Sequence, residues 1–151
     1  MTAAYPLPMA AADLLPHRPP LLLIDRLCSW GDGAGIAEAC LGPDCILADA
    51  AGTLGQVALV ELMAQGYAAV KGYDDLVNGR PVQEGFLVGI RKLQITGRAT
   101  TGQLLHIQIK TIGSFEGFSV IEGTVASGEE ILAAGTLKLW LVNEAASGGR
   151  P

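Results

Sequence analysis

Hydrophobic and polar positions change period along the chain. Residues 1–12 are small, apolar and Pro-containing, and read as an arm. Pro16, Pro19 and Pro20 force an extended path. Leu21–Trp30 and Ile36–Leu41 read as strands joined by a Gly31-Asp32-Gly33 turn, a hairpin. Residues 42–52 carry no period and read as a loop. From Thr53 to Lys71 the apolar residues point in every direction, the mark of a buried helix. Thr53 and Gln56 have capping-box spacing, and Gly72 reads as the stop. Residues 73–81 read as a polar connector. Four apolar, strand-like stretches follow, at 85–96, 104–112, 118–126 and 131–142, separated by Gly-containing turns. They predict an antiparallel meander, and 145–151 reads as a small-residue tail.

The order hairpin, long buried helix, antiparallel strands lacks β-α-β alternation, which disfavours a doubly wound sheet. One long helix wrapped by a curved antiparallel sheet satisfies it best: an α+β chain of the hotdog type, read as a single domain over 1–151.

Composition narrows the function. The 151 residues are 50% hydrophobic, enough for a core, and the net charge of −5 argues against a global nucleic-acid footprint. No apolar run is long enough to span a bilayer. The first residues lack the basic start of a secretory signal. Three cysteines, Cys28, Cys40 and Cys45, without C-x-x-C spacing fit a reducing cytoplasm better than a disulfide framework or zinc site.

Candidate chemistry is sparse. Glu61 lies mid-helix among Val57, Val60, Leu62 and Met63, where lost solvation would favour its protonated form. Gln65, four residues on, shares its face. Backbone N–H groups at the start of the helix, around Gly55, Gln56 and Val57, could polarise a carbonyl. Of the two histidines, His17 follows Pro16, and alternation turns His106 to solvent. Cys45 precedes the helix. Arg91, Lys92 and Arg98 could form a docking patch or an ordinary solvated face.

Two stretches carry a family resemblance. Leu15-Pro16-His17-Arg18-Pro19-Pro20, followed by Leu21-Leu22-Leu23-Ile24-Asp25-Arg26, resembles the opening signature of the bacterial β-hydroxyacyl-acyl-carrier-protein dehydratases. Glu61-Leu62-Met63-Ala64-Gln65 resembles their central-helix motif, and Leu87-Val88-Gly89-Ile90-Arg91-Lys92 their next strand. Ala48-Asp49-Ala50-Ala51-Gly52-Thr53-Leu54 is similar to a segment of a divergent branch, the dehydratases of aryl-polyene-type gene clusters. The resemblance spans most of 14–142.

That resemblance implies a dimeric hotdog with an active-site tunnel between subunits. It implies elimination of water from a (3R)-3-hydroxyacyl thioester on acyl carrier protein, in fatty acid or polyene biosynthesis, without metal or redox cofactor. Glu61 would be the acid. The thioester carbonyl would sit near the Gln56 N–H, and the carrier would dock on Arg91, Lys92 and Arg98. The family's catalytic His is replaced: its two registers fall on Leu47 and, in the better one, on Cys45. His17 is then the remaining imidazole for the site. A Gly, Gly55, stands where the family helix opens with Pro. Two other readings stay open: a non-catalytic hotdog subunit that binds acyl chains or pairs with a catalytic one, and an acyl thioesterase using Glu61.

Overall fold

The computed structural model describes residues 5–142; the expected tail at 145–151 and the first four residues of the expected arm lie outside them. One helix, α1 (Gln56–Val77), packs on a seven-stranded antiparallel sheet. The strands are β1 (Met9–Ala10), β2 (Arg26–Gly31), β3 (Ala34–Ala39), β4 (Gly85–Ile95), β5 (Leu105–Phe115), β6 (Phe118–Ser127) and β7 (Glu130–Leu141), in the order β1-β2-β3-β5-β6-β7-β4. This is the hotdog fold. No helix among the described residues is long and apolar enough to cross a membrane.

Two layers enclose most of the helix, but the all-round burial expected is not complete: Glu61, Ala64, Ala68 and Lys71 are only partly buried and Val57 is exposed. One face meets the sheet: a side chain at Gly66 would bring its Cβ within 2.8 Å of Ile107. Leu59, Leu62, Met63 and Val70 are buried with Leu105, Ile107, Ile121 and Leu137 of the sheet. Each such side chain contributes about 1.5–3 kcal/mol on leaving water. The opposite side is covered by the N-terminal segment, whose Leu14, Leu15, Leu23 and Ile24 join the same core. Part of the expected arm is therefore structure: Met9 and Ala10 pair with Leu27 and Arg26, and Ala11 is buried.

Four expectations change in detail. First, α1 starts at Gln56 with Gly55 as N-cap and no side-chain cap, so the Thr53–Gln56 capping box does not form. The Thr53 hydroxyl instead accepts from Arg98 Nε and Nη2, at 3.0 and 2.6 Å. Second, Gly72 does not stop the helix. It lies inside it, where a Cβ would come within 2.5 Å of the Leu14 carbonyl, so glycine serves close packing there. The helix runs five residues further, supported by the i,i+4 pair Lys71–Asp75, and ends at Asn78 followed by Gly79 at φ +66°.

Third, the last four strands are not a simple meander. β5, β6 and β7 follow one another, but β4 pairs with the far side of β7 and becomes the sheet edge. The 96–104 connection crosses beneath the start of the helix, where Thr53 bridges Thr100 and the Leu54 N–H donates to the Ala99 carbonyl. Fourth, β2 begins only at Arg26, because residues 21–24 spend backbone groups on a side chain of α1. The hairpin turn is as expected: Asp32 and Gly33 both have positive φ, 54° and 72°, as a type I′ turn requires.

Replacing Gly72 by Val is expected to destabilise the protein by about 1–3 kcal/mol through overpacking against the Leu14 backbone. Gly42→Ala, at a position with nothing within 4 Å, should stay within about 0.5 kcal/mol of wild type. Urea denaturation of the two variants checks this.

Candidate active site

Glu61, Ala64, Gln65, Ala68 and Lys71 recur at helical spacing along one face of α1. This face lines a cavity of about 420 Å³. Pro16 and His17 form one side of it; Phe86 and Leu87 of β4, with Leu139 and Leu141 of β7, form the other. Ala64 and Ala68 make the space, since two small side chains leave a trough where larger ones would fill it.

Gln65 organises this site. Its side chain is only 1% exposed, yet its amide has a partner at every turn. The Leu23 N–H donates to Oε1 at 2.8 Å and the Ile24 N–H at 3.4 Å, while Nε2 donates to the Leu21 carbonyl at 2.8 Å. The second Nε2 proton reaches Glu61 Oε2 at 2.7 Å. One buried amide therefore ties α1 to residues 21–24 and orients the carboxylate of Glu61.

The His17 ring stands across the cavity wall, Nε2 at 3.9 Å from Glu61 Oε2. Its Nδ1 is buried without a partner, and its carbonyl accepts from the Arg18 guanidinium at 2.6 Å. Glu61 is not the isolated buried carboxylate that its apolar neighbours suggest. The helix turns it toward the cavity, and its side chain is 38% exposed.

The remaining candidates lie elsewhere in this chain. Cys45 sits in the 42–52 loop, partly buried against the core, and does not line the cavity. Leu47 is likewise partly buried. Gly55, Gln56 and Val57 are exposed at the helix start, more than one turn before Glu61, and do not line this cavity either. Arg91 and Lys92 are exposed on β4, Lys92 at a bulge with φ 55°, and Arg98 is held by Thr53. His106 faces out beside Glu38, 3.1 Å away, while Leu105, Ile107 and Ile109 are buried, as alternation predicts.

Tyr67 and Lys71 are among the lining residues that escape the sequence reading. Tyr67 donates its hydroxyl to Ser119 Oγ at 3.0 Å, and burial pushes its phenol above the ordinary value, partly opposed by that bond. Lys71 pairs with Asp75 at 2.5 Å. The signal that could have revealed the cavity is the small pair Ala64 and Ala68 following Glu61 at helical spacing.

A partly exposed carboxylate and a histidine thus face each other on the wall of an apolar trough along the helix of a hotdog fold. Comparison with known proteins identifies the family. The family model for ApeP-like proteins, the ApeP dehydratases, matches residues 9–147, and the chain belongs to that family. The dehydratase heterocomplex ApeI:P from Xenorhabdus doucetiae superposes with a TM-score of 0.83 at 22% identity, over 91% of this chain and 93% of that one. Protein PH1136 from Pyrococcus horikoshii gives 0.65 at 15% identity, over 92% and 97%. A hypothetical thioesterase with coenzyme A from Streptococcus pneumoniae gives 0.59 at 11% identity, over 78% and 87%. No curated protein matches the chain.

Substituting Gln65 by Met should lower stability by about 2 kcal/mol or more. It strands the buried Leu23 N–H, an unsatisfied group that costs about 1–3 kcal/mol, and removes the donor to the Leu21 carbonyl. Thermal and urea unfolding measure it.

Proposed function

We propose that this protein dehydrates 3-hydroxyacyl thioesters to trans-2-enoyl thioesters, with Glu61 and His17 as its acid and base. The reading is carried by one observation: the two side chains meet at 3.9 Å on the wall of one apolar cavity. Dehydration removes a proton from C2 and a hydroxyl from the adjacent C3. It therefore calls for two proton-handling groups a few ångströms apart.

His17 Nε2 takes the C2 proton. The electron pair of that C–H bond becomes the C2–C3 double bond as the C3–O bond breaks. The carboxyl of Glu61 gives its proton to the departing hydroxyl, which leaves as water. Gln65 holds the carboxylate in place through its 2.7 Å hydrogen bond. The thioester carbonyl lies toward the open start of α1, where the N–H groups of Gln56 and Val57 and the helix dipole stabilise developing negative charge. Cys45 does not line the cavity and has no part in this step within one chain.

The acyl group is carried on acyl carrier protein or coenzyme A in the cytoplasm. The exposed basic residues Arg91, Lys92 and Arg98 suit an acidic carrier. β4 supports pairing with a second hotdog chain, either another copy or a distinct partner. It is an eleven-residue edge strand on which Phe86, Leu87, Val88, Ile90 and Ile95 are all exposed, and an apolar edge of that length calls for cover.

Purified protein, with any hotdog partner that accompanies it, is to be incubated with a 3-hydroxyacyl thioester and the acyl chain weighed by mass spectrometry. Loss of water is expected, with Glu61→Gln reducing the rate about 10²–10⁴-fold, the usual contribution of a general acid. A folded protein that leaves the acyl chain intact would favour the non-catalytic subunit. Release of free thiol would favour a thioesterase.

A further inference from the structure

A second cavity, of about 280 Å³, adjoins the first through shared lining residues. Tyr67, Lys71 and Leu141 line both. Beyond them the second space is walled by Trp30, Val70, Thr111, Ser114, Phe118 and Ser119. From Glu61 to Lys71 the trough follows ten residues of helix, about 15 Å at about 1.5 Å per residue. Val70, Lys71 and Asp74 of the same helix line the second cavity.

The three shared side chains are not held alike. Tyr67 is buried and fixed by its hydrogen bond to Ser119. Lys71 is held at its tip by Asp75, but Asp75 does not depend on it. That carboxylate, 0% exposed, also accepts from Arg80 Nε at 3.1 Å. Lys71, with 20% of its side chain exposed, can swing outward while Asp75 keeps a charged partner. Its long stem then leaves the passage, and its ammonium gains water.

We propose that the second cavity is the distal part of the acyl-binding channel, and that Lys71 is the movable stop between a short-chain and a long-chain mode. This rests on the reading of the first cavity as an acyl site. A short chain ends before Lys71 and leaves the stop in place. A longer chain displaces the Lys71 stem and buries its last carbons against Val70, Phe118 and the Trp30 ring, gaining about 0.8 kcal/mol for each methylene removed from water. Trp30, on the wall of the second cavity and not of the first, reports where the chain ends.

The test uses ω-bromo-octanoyl-CoA and ω-bromohexadecanoyl-CoA, whose terminal bromine quenches a tryptophan it touches, and Trp140→Phe protein, which leaves Trp30 as the sole tryptophan. Both ligands are expected to bind, and only the hexadecanoyl one to quench Trp30. Lys71→Ala should tighten hexadecanoyl binding several-fold. Ser114→Leu, which narrows the second cavity without lining the first, should abolish the quenching and spare octanoyl binding. Hexadecanoyl binding that leaves Trp30 emission unchanged, or that Lys71→Ala and Ser114→Leu do not alter, overturns the second cavity's assignment while the dehydratase reading stands. Failure of both ligands to bind overturns the acyl site itself and the inference with it.

Discussion

A buried side-chain amide cannot stay unpaired, and in this protein that constraint joins fold to function. Gln65 lies between α1 and the segment at residues 21–24, and four groups satisfy it: two backbone N–H groups, one carbonyl and the Glu61 carboxylate. Leaving such a group bare costs about 1–3 kcal/mol, so helix, segment and carboxylate are fixed as one unit. The segment continues from His17, four residues before Leu21, and this brings the imidazole to the same wall as Glu61. The tie that closes the N-terminal cover over the helix is thus the one that brings His17 and Glu61 together.

The rest of the molecule serves this unit. The sheet supplies the other side of α1, and glycines allow the close approaches: Gly66 at Ile107 and Gly72 at Leu14. Ala64 and Ala68 leave the trough open along the helix face that carries the pair. β4, placed at the sheet edge by its pairing with β7, contributes Phe86 and Leu87 to the trough while exposing apolar residues along the edge. Cavity and edge are therefore neighbours, and a partner covering β4 would also cover the trough.

Much of this was legible in the residues. The all-round apolar helix, the Asp32-Gly33 turn and the alternation of Leu105, Ile107 and Ile109 each obey a local period, and local periods survive folding. Glu61 and Gln65 could be placed on one face by spacing alone. What spacing could not give was anything decided by contacts distant in sequence. Gly72 looks like a helix stop until Leu14 packs on it. Thr53 looks like a cap until Arg98 claims its hydroxyl. β4 looks like the first strand of a meander until it pairs with β7. His17 looks structural because its partner is forty-four positions away.

The central claim is that His17, rather than the cysteine at the family's histidine position, handles the C2 proton. Hydration of a 2-enoyl thioester in heavy water tests it directly, since the added deuteron at C2 comes from the base. Wild-type and Cys45→Ala protein are expected to deliver deuterium to C2, and folded His17→Ala protein to deliver none. Deuterium delivery that survives His17→Ala and is lost in Cys45→Ala would contradict the account.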